Sequence, residues 1–322
     1  MKILVTGAAG FVGSHLAERL SEKGHEVVGL DCFTPYYSRD LKELNVKSIK
    51  EKGCRFLECD LTIDNLSDAT FRVDVVYHLA AQPGISSSTA FESYERNNVI
   101  ATFKLLEACQ SASDLKCFVN IATSSIYGKI ATESEEASPK PTSFYGVTKL
   151  AAEQLVLAYN RDKGFPATSV RLFSVYGERE RPEKLYPKLI KSILEGSEFP
   201  LFEGSEKHQR SYTYVSDIID GLELVLKNKD KCIGEILNLG CDTATITGDN
   251  IKIVENILGR KAKIVLKPKR LGDQEKTKAN INKARKLLGY EPKVLPKDGL
   301  RREVLWYKEH VYGKIKDLLY TQ

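Results

Sequence analysis

Short apolar runs alternate with longer amphipathic ones through the first half of the chain. KILVT (2–6) is a continuous apolar run of buried-strand length. FVGSHLAERLSEKG (11–24) then carries apolar residues at helical spacing up to a terminal glycine. Strand patterns recur at HEVVGLD (25–31), CRFLECDL (54–61), DVVYHLAA (74–81), KCFVNIAT (116–123) and ATSVRLFSVYG (167–177). Helical patterns lie between them, including 92–112 and 144–163. The alternation predicts an α/β fold with a parallel sheet covered on both faces, which binds its ligands at the carboxyl ends of the strands.

After about residue 175 the texture changes. GERERPEKLYPKLIKSILEG (177–196) is polar and then helical; FPLF (199–202), SYTYV (211–215) and KAKIVLK (261–267) read as strands. SDIIDGLELVLKN (216–228), DNIKIVENILG (249–259) and the tail from 296 to 320 read as helices. The pattern predicts a first domain over 1–175 and a smaller α+β domain over 176–322, with segments at about 212–240 returning to the first. Repeats, low-complexity segments and flexible linkers are not evident.

The chain has 322 residues, enough for well-buried cores, and a net charge of +5. Its basic residues are dispersed among 43 acidic ones, without a basic arm or zinc-finger spacing, which argues against nucleic acid. Mild positive charge suits an anionic small molecule. Seven cysteines without a CxxC pattern argue against a disulfide framework or a zinc site, and for reduced thiols in a cytoplasmic setting. Apolar runs fall short of a membrane span, and the opening MKILVTGAAGFVG lacks the sustained greasy stretch of a signal peptide.

TGAAGFVG (6–13) joins the first strand to the first helix. Gly7, Gly10 and Gly13 are spaced GxxGxxG, one residue longer than the usual dinucleotide fingerprint. Glycine there permits the tight turn, lets backbone approach a pyrophosphate and packs the helix close to the strand, while the helix N-terminus faces phosphate. Phe11 and Val12 begin that helix. Asp31 ends the second strand about 20 residues on, where a carboxylate accepts the ribose hydroxyls and repels a 2′-phosphate, so NAD is expected. Asp60 and Leu61 follow the third strand; Asp60 either meets the adenine edge or caps the segment after it.

SFYGVTK (143–149) sets Tyr145 four residues before Lys149, on one face of a helix. An ammonium beside a phenol favours the phenolate, making Tyr145 an acid/base near neutral pH. An ordinary exposed Tyr/Lys pair is the alternative.

TGAAGFVG, Asp31, HLAA (78–81), TSSIYG (123–128) and YGVTK (145–149) together resemble the extended short-chain dehydrogenase/reductases, and within them the nucleotide-sugar epimerases and dehydratases. The resemblance continues through VRLFSVYG (170–177), RERPEKLYPKLI (179–190), HQRSYTYVSD (208–217) and KRLGD (269–273). It implies a Rossmann-type doubly wound sheet binding NAD, with the second domain binding a nucleotide sugar. Tyr145 is then the base that removes a sugar-hydroxyl proton, Lys149 holds the nicotinamide ribose and lowers the phenol's pKa, and Thr123 hydrogen-bonds the reacting oxygen. A hydroxyl that merely caps its strand end is the alternative for Thr123. Leu79, Ala80 and Ala81 line the nicotinamide side, His78 is structural, and Asn98 supports the site or is only mid-helix polarity.

Ser125 stands where dehydratases and decarboxylases of this family carry an acidic residue, so Thr123-Ser124-Ser125 resembles a 4-epimerase. DCFTPYY (31–37), Ser174 and RERP (179–182) most resemble UDP-glucuronate 4-epimerases. The resemblance implies that Arg181 grips the sugar carboxylate with Ser124, Ser125 and Ser174 nearby, and that Arg210 and Arg270 hold the diphosphate, with Asp273 at the uridine ribose. Ser86, Ser87 and Ser88 either approach the sugar or are only loop. Ser211 stands where relatives commonly have aspartate after the arginine, which leaves the orientation of Arg210 open. Alternatives are a UDP-glucose or UDP-N-acetylglucosamine 4-epimerase, or a decarboxylase or dehydratase. Helices 92–112 and 144–163 imply, by the same resemblance, a homodimer.

Overall fold

The computed structural model describes residues 1–86, 89–110, 114–269, 274, 276–315 and 318–319. In chain order the framework is β1 (Lys2–Thr6), α1 (Phe11–Glu22), β2 (Glu26–Asp31), α2 (Arg39–Glu51), β3 (Arg55–Glu58) and β4 (Val75–His78). An interrupted helix, α3 (91–110), follows, then β5 (Cys117–Thr123), α4 (Phe144–Lys163) and β6 (Ala167–Leu172). After them come α5 (Leu185–Glu195), α6 (Val215–Lys227), β7 (Ile236–Leu239), α7 (Thr247–Leu258), α8 (Asn282–Leu288) and α9 (Pro296–His310).

The seven strands form one sheet in the order β7-β6-β5-β4-β1-β2-β3, parallel throughout. Order reverses between β4 and β1, and the crevice at their carboxyl ends is where such a sheet takes a ligand. Successive residues of β1 point to opposite faces, as the pleat requires. Ile3 and Val5 join a core with Leu16 and Leu20 of α1 and Ile218 and Leu222 of α6. Leu4 joins the opposite core with Leu105, Leu106 and Val156 from α3 and α4.

Three expectations change. The run 167–177 is not one strand: β6 stops at Leu172, and Ser174–Tyr176 pairs instead with Tyr212–Tyr214 in a separate two-stranded sheet. The 92–112 pattern is an interrupted helix, α-helical at Phe91–Tyr94, π-helical at Glu95–Ile100 and α-helical again at Ala101–Gln110. The last helix stops at His310, well short of residue 320. One main-sheet strand, β7, is absent from the pattern reading. ILNL is a short edge run, and its place beside β6 is a tertiary contact.

Candidate active site

The turn after β1 is built by its glycines. Gly7 has φ +72, and a Cβ there would lie 2.8 Å from the Ala80 backbone nitrogen at the end of β4. A Cβ on Gly13 would stand 2.2 Å from the Gly7 carbonyl, so only glycine lets α1 seat this close to the turn. Gly10 caps α1 without a side chain, which leaves the N-terminal amides of the helix for a ligand. Asp31 sits at the end of β2, receiving the Phe33 amide at 2.9 Å and the Ala9 amide at 3.2 Å. Burial holds its carboxyl above the usual range, against the pull of Lys42 and those amides.

A cleft of about 580 Å³ opens over these strand ends. Gly7, Gly10, Phe11, Val12, Gly13, Asp31, Asp60, Leu61, Leu79, Ala80 and Ala81 line one end. Thr123, Ser124, Ser125, Tyr145, Lys149, Ser174, Arg181 and Arg210 line the rest. Residues that follow β1 and β4, residues of β2, β5 and α4, and segments beyond residue 172 therefore converge on one space. Arg270 and Asp273 lie outside the described residues, as do Ser87 and Ser88. Asp60 faces the cleft and also bonds its own turn: its carboxylate takes Arg96 Nη2 at 2.6 Å and the Thr62 amide at 2.9 Å.

Tyr145 and Lys149 lie one turn apart at the start of α4, where the Ser143 hydroxyl accepts the Gly146 amide. Thr123, the last residue of β5, accepts the Ser125 amide at 3.2 Å and stands beside the Tyr145 phenol, whose pKa it pulls downward. It thus both caps its strand end and meets the tyrosine. Lys149 is 2 % exposed, and burial draws its ammonium down to about 8, against the opposing pull of Glu153. The Tyr145 phenol is not lowered as the spacing to Lys149 suggests. Burial pushes it up, outweighing the pull of Thr123 and Arg181, and Lys149 is not among the groups that shift it.

Arg181 reaches the same cleft from the loop after Tyr176. Its guanidinium sits 5.7 Å from the Tyr36 ring centre and packs at Gly84. Nη1 lies 3.0 Å from Glu183 Oε1, close enough to pair but not aligned as a hydrogen bond, so both groups keep bonding capacity for a ligand. Arg210 lies on the strand Gln209–Arg210, which pairs with Thr245–Ile246. Ser211 points inward, its amide donating to Thr277 and its hydroxyl to the Cys241 carbonyl. His78 is buried between Thr6 and Thr102, 2.9 Å from each, and burial draws its pKa down to about 3. Its ring is neutral and structural. Asn98 donates to Thr148 in α4 and accepts the Gln82 amide, tying α3 to the helix that carries Tyr145.

The sequence reading missed several lining residues. Phe199, Phe202, His208 and Thr247 wall the far end of the cleft, and Gln274 donates to the Gly128 carbonyl at 2.9 Å. Of these, the apolar FPLF run reads as core, and His208 opens the HQRSYTYVSD motif without a role of its own there. Among the described residues no His/Cys/Asp/Glu group suits a metal ion, and no helix is long and apolar enough to cross a membrane.

A family model for the NAD dependent epimerase/dehydratase family matches residues 3–240. An uncharacterized UDP-glucose epimerase, YtcB, of Bacillus subtilis is 40% identical over 98% of this chain and 100% of its own length. UDP-glucuronate 4-epimerase 4 of Arabidopsis thaliana is 33% identical over 98% of this chain and 77% of its own. The crystal structure of UDP-glucuronic acid 4-epimerase from Bacillus cereus, in complex with UDP-glucuronic acid and NAD, superposes with a TM-score of 0.91 at 39% identity, covering 96% of this chain and 99% of that one.

Proposed function

The chain belongs to the NAD-dependent epimerase/dehydratase family, and within it we propose that it is a UDP-sugar 4-epimerase that interconverts UDP-glucuronate and UDP-galacturonate. One observation carries the reading: Thr123, Tyr145 and Arg181 face a single cleft, and Ser124 and Ser125 place no carboxyl at the position where elimination chemistry would need one.

The residues present fit NAD: the glycine turn leaves room that side chains would fill, and Asp31 ends β2 beside it. Gly7, Gly10, Gly13 and the start of α1 hold the pyrophosphate, Asp31 the adenosine ribose, Leu79–Ala81 the nicotinamide side, and Lys149 the nicotinamide ribose. Asp60 and Leu61 border the adenine. Bound NAD supplies a hydride acceptor, and in the return half-reaction a donor. Tyr145 takes the C4 hydroxyl proton and later returns it, while Thr123 holds that oxygen in line. Burial holds the phenol high, and the positive nicotinamide ring that NAD⁺ would bring beside it acts in the opposite direction. Between the two halves the 4-keto sugar must rotate to present its other face.

A 4-keto glucuronate is a β-keto acid and loses CO₂ when its carboxylate lies across the carbonyl plane. Arg181, with Ser124, Ser125 and Ser174, grips that carboxylate close to the carbonyl plane, where the bond that would break cannot overlap the carbonyl π system, by charge-assisted hydrogen bonds. Arg210, Arg270 and Asp273 hold the UDP. The domain assignment, NAD on 1–175 and sugar nucleotide mainly on 176–322, follows the same division of labour.

The protein is further read as a cytoplasmic homodimer. Seven free cysteines suit a reducing compartment. Ile100, Phe103, Phe144 and Val147, all exposed on α3 and α4, supply an apolar face for a second copy.

The test is incubation with UDP-glucuronate without added cofactor, followed by proton NMR. UDP-galacturonate without a decarboxylated product is expected. UDP-xylose or a 4-keto pentose would refute the hydroxyl-run argument, and inertness even with added NAD would redirect the search to UDP-glucose and UDP-N-acetylglucosamine.

A further inference from the structure

The loop that presents Arg181 is held on three sides. Glu178 receives the Tyr214 hydroxyl at 2.6 Å. Arg179, in the left-handed region at φ 68, donates to Glu18 at 2.8 Å. Between these anchors and Arg181, Glu180 turns toward α9 and the carboxyl of Glu303, which is 2 % exposed. Glu180 Oε2 and both Glu303 oxygens are buried without a hydrogen-bond partner when each is taken as a carboxylate, and the Tyr176 hydroxyl beside them is likewise unsatisfied. Two buried carboxylates in contact cannot both ionise at modest cost; one proton between them satisfies an oxygen on each and removes the repulsion.

We propose that Glu180 and Glu303 share one proton, and that this carboxyl pair ties the Arg181 loop to α9 and so positions Arg181 over the sugar. Both are positioning residues, and the inference rests on the reading that Arg181 grips a carboxylate. The groups facing Glu180 are Lys184, Arg181, Glu183 and Glu303. Those facing Glu303 are Glu180, Glu178 and the Gly177 amide. The phenols of Tyr176, Tyr186 and Tyr212 sense the pair from the other side. Burial pushes both carboxyls upward, Glu180 to about 8, against the pull of Lys184 and Arg181. Above that pH the pair becomes two like charges, and the loop that carries Arg181 is forced off α9.

The sign of the linkage follows. An acid raised in the folded state holds its proton where the unfolded chain has lost it, so stability is full below the unfolded value of 4.5 and falls as pH rises to about 8. Glu303→Gln keeps a neutral hydrogen-bonding group, so its melting temperature should gain on the wild type across that window and level off above it. Glu180→Gln is the second variant should the first misfold. Affinities for UDP-glucuronate and UDP-glucose are measured by calorimetry on NAD-loaded Tyr145→Phe protein, which prevents turnover. The preference for UDP-glucuronate should fall about ten-fold one pH unit above the titration in the Tyr145→Phe parent, and stay flat with Glu303→Gln added. A melting difference that ignores pH overturns the shared proton. A rising melting difference with a pH-independent sugar preference overturns the link to Arg181. Failure to bind UDP-glucuronate at any pH refutes the substrate reading instead, and the melting series still decides the shared proton.

Discussion

Glu153 receives Arg171 Nη2 at 2.6 Å and Nε at 3.0 Å, one helical turn beyond Lys149. Both side chains are almost fully buried, and Arg171 also donates to the Tyr127 hydroxyl at 2.8 Å. The fork pins α4 to β6, so the helix that carries Tyr145 and Lys149 cannot slide against the sheet. Removing one partner strands a buried charge. Arg171→Met should therefore cost about 3–5 kcal/mol in denaturant unfolding, whereas Arg171→Met with Glu153→Leu should recover much of it. Equal losses in the single and double variants would argue against the ion pair as the cause.

Lys149 is a stability cost borne for function. Its folded pKa of about 8 lies below the ordinary lysine value of 10.5, so at neutral pH the fold holds a charge that burial disfavours. The difference corresponds to about 3 kcal/mol. Folded protein binds fewer protons than unfolded between those two values, so stability rises with pH there and the penalty is complete below about 8. Lys149→Met in NAD-free protein should thus melt higher than wild type at pH 7, with the gain shrinking as pH climbs from about 8, and should lose epimerase activity. A lower melting temperature at neutral pH would show that the ammonium is better solvated in the cleft than its burial implies.

Arg181→Ala should separate sugar classes. A hydrogen bond to a charged partner contributes roughly 1.5–3 kcal/mol, so kcat/KM for UDP-glucuronate should drop about ten- to a hundred-fold. UDP-glucose, without the carboxylate, should change much less. NMR assays of both sugars, scored also for decarboxylated product, check it. Equal losses would make Arg181 a general structural contact.

The exposed apolar residues on α3 and α4 predict a concentration-stable dimer. Phe103→Glu, on a ring 41% exposed, should shift light-scattering mass in size-exclusion chromatography from two chains to one. An unchanged mass would place the interface elsewhere or leave the chain monomeric.

Much of this was local and therefore legible along the chain. The continuous apolar runs and the helical patterns identify the strands and helices of the first half, because burial on both faces of a parallel sheet demands such runs. Gly7 and Gly13 are readable because backbone contact leaves no room for a side chain, and Tyr145 and Lys149 because helical spacing alone stacks them. What the chain order could not decide is where distant segments meet. ILNL becomes a sheet strand only by pairing with β6, and 167–177 divides between two sheets because Ser174–Tyr176 finds its partner in Tyr212–Tyr214, a segment distant along the chain. The environment of Tyr145 was equally hidden: spacing put a cation four residues away, but burial by the assembled cleft dominates its phenol. Glu180 and Glu303 lie more than a hundred positions apart in a charged loop and an amphipathic helix, and each reads as a solvated charge. Only the packing of α9 against the Arg181 loop buries Glu303 and one carboxylate oxygen of Glu180, and a carboxyl's protonation follows the dielectric and the charges around it rather than its sequence neighbours.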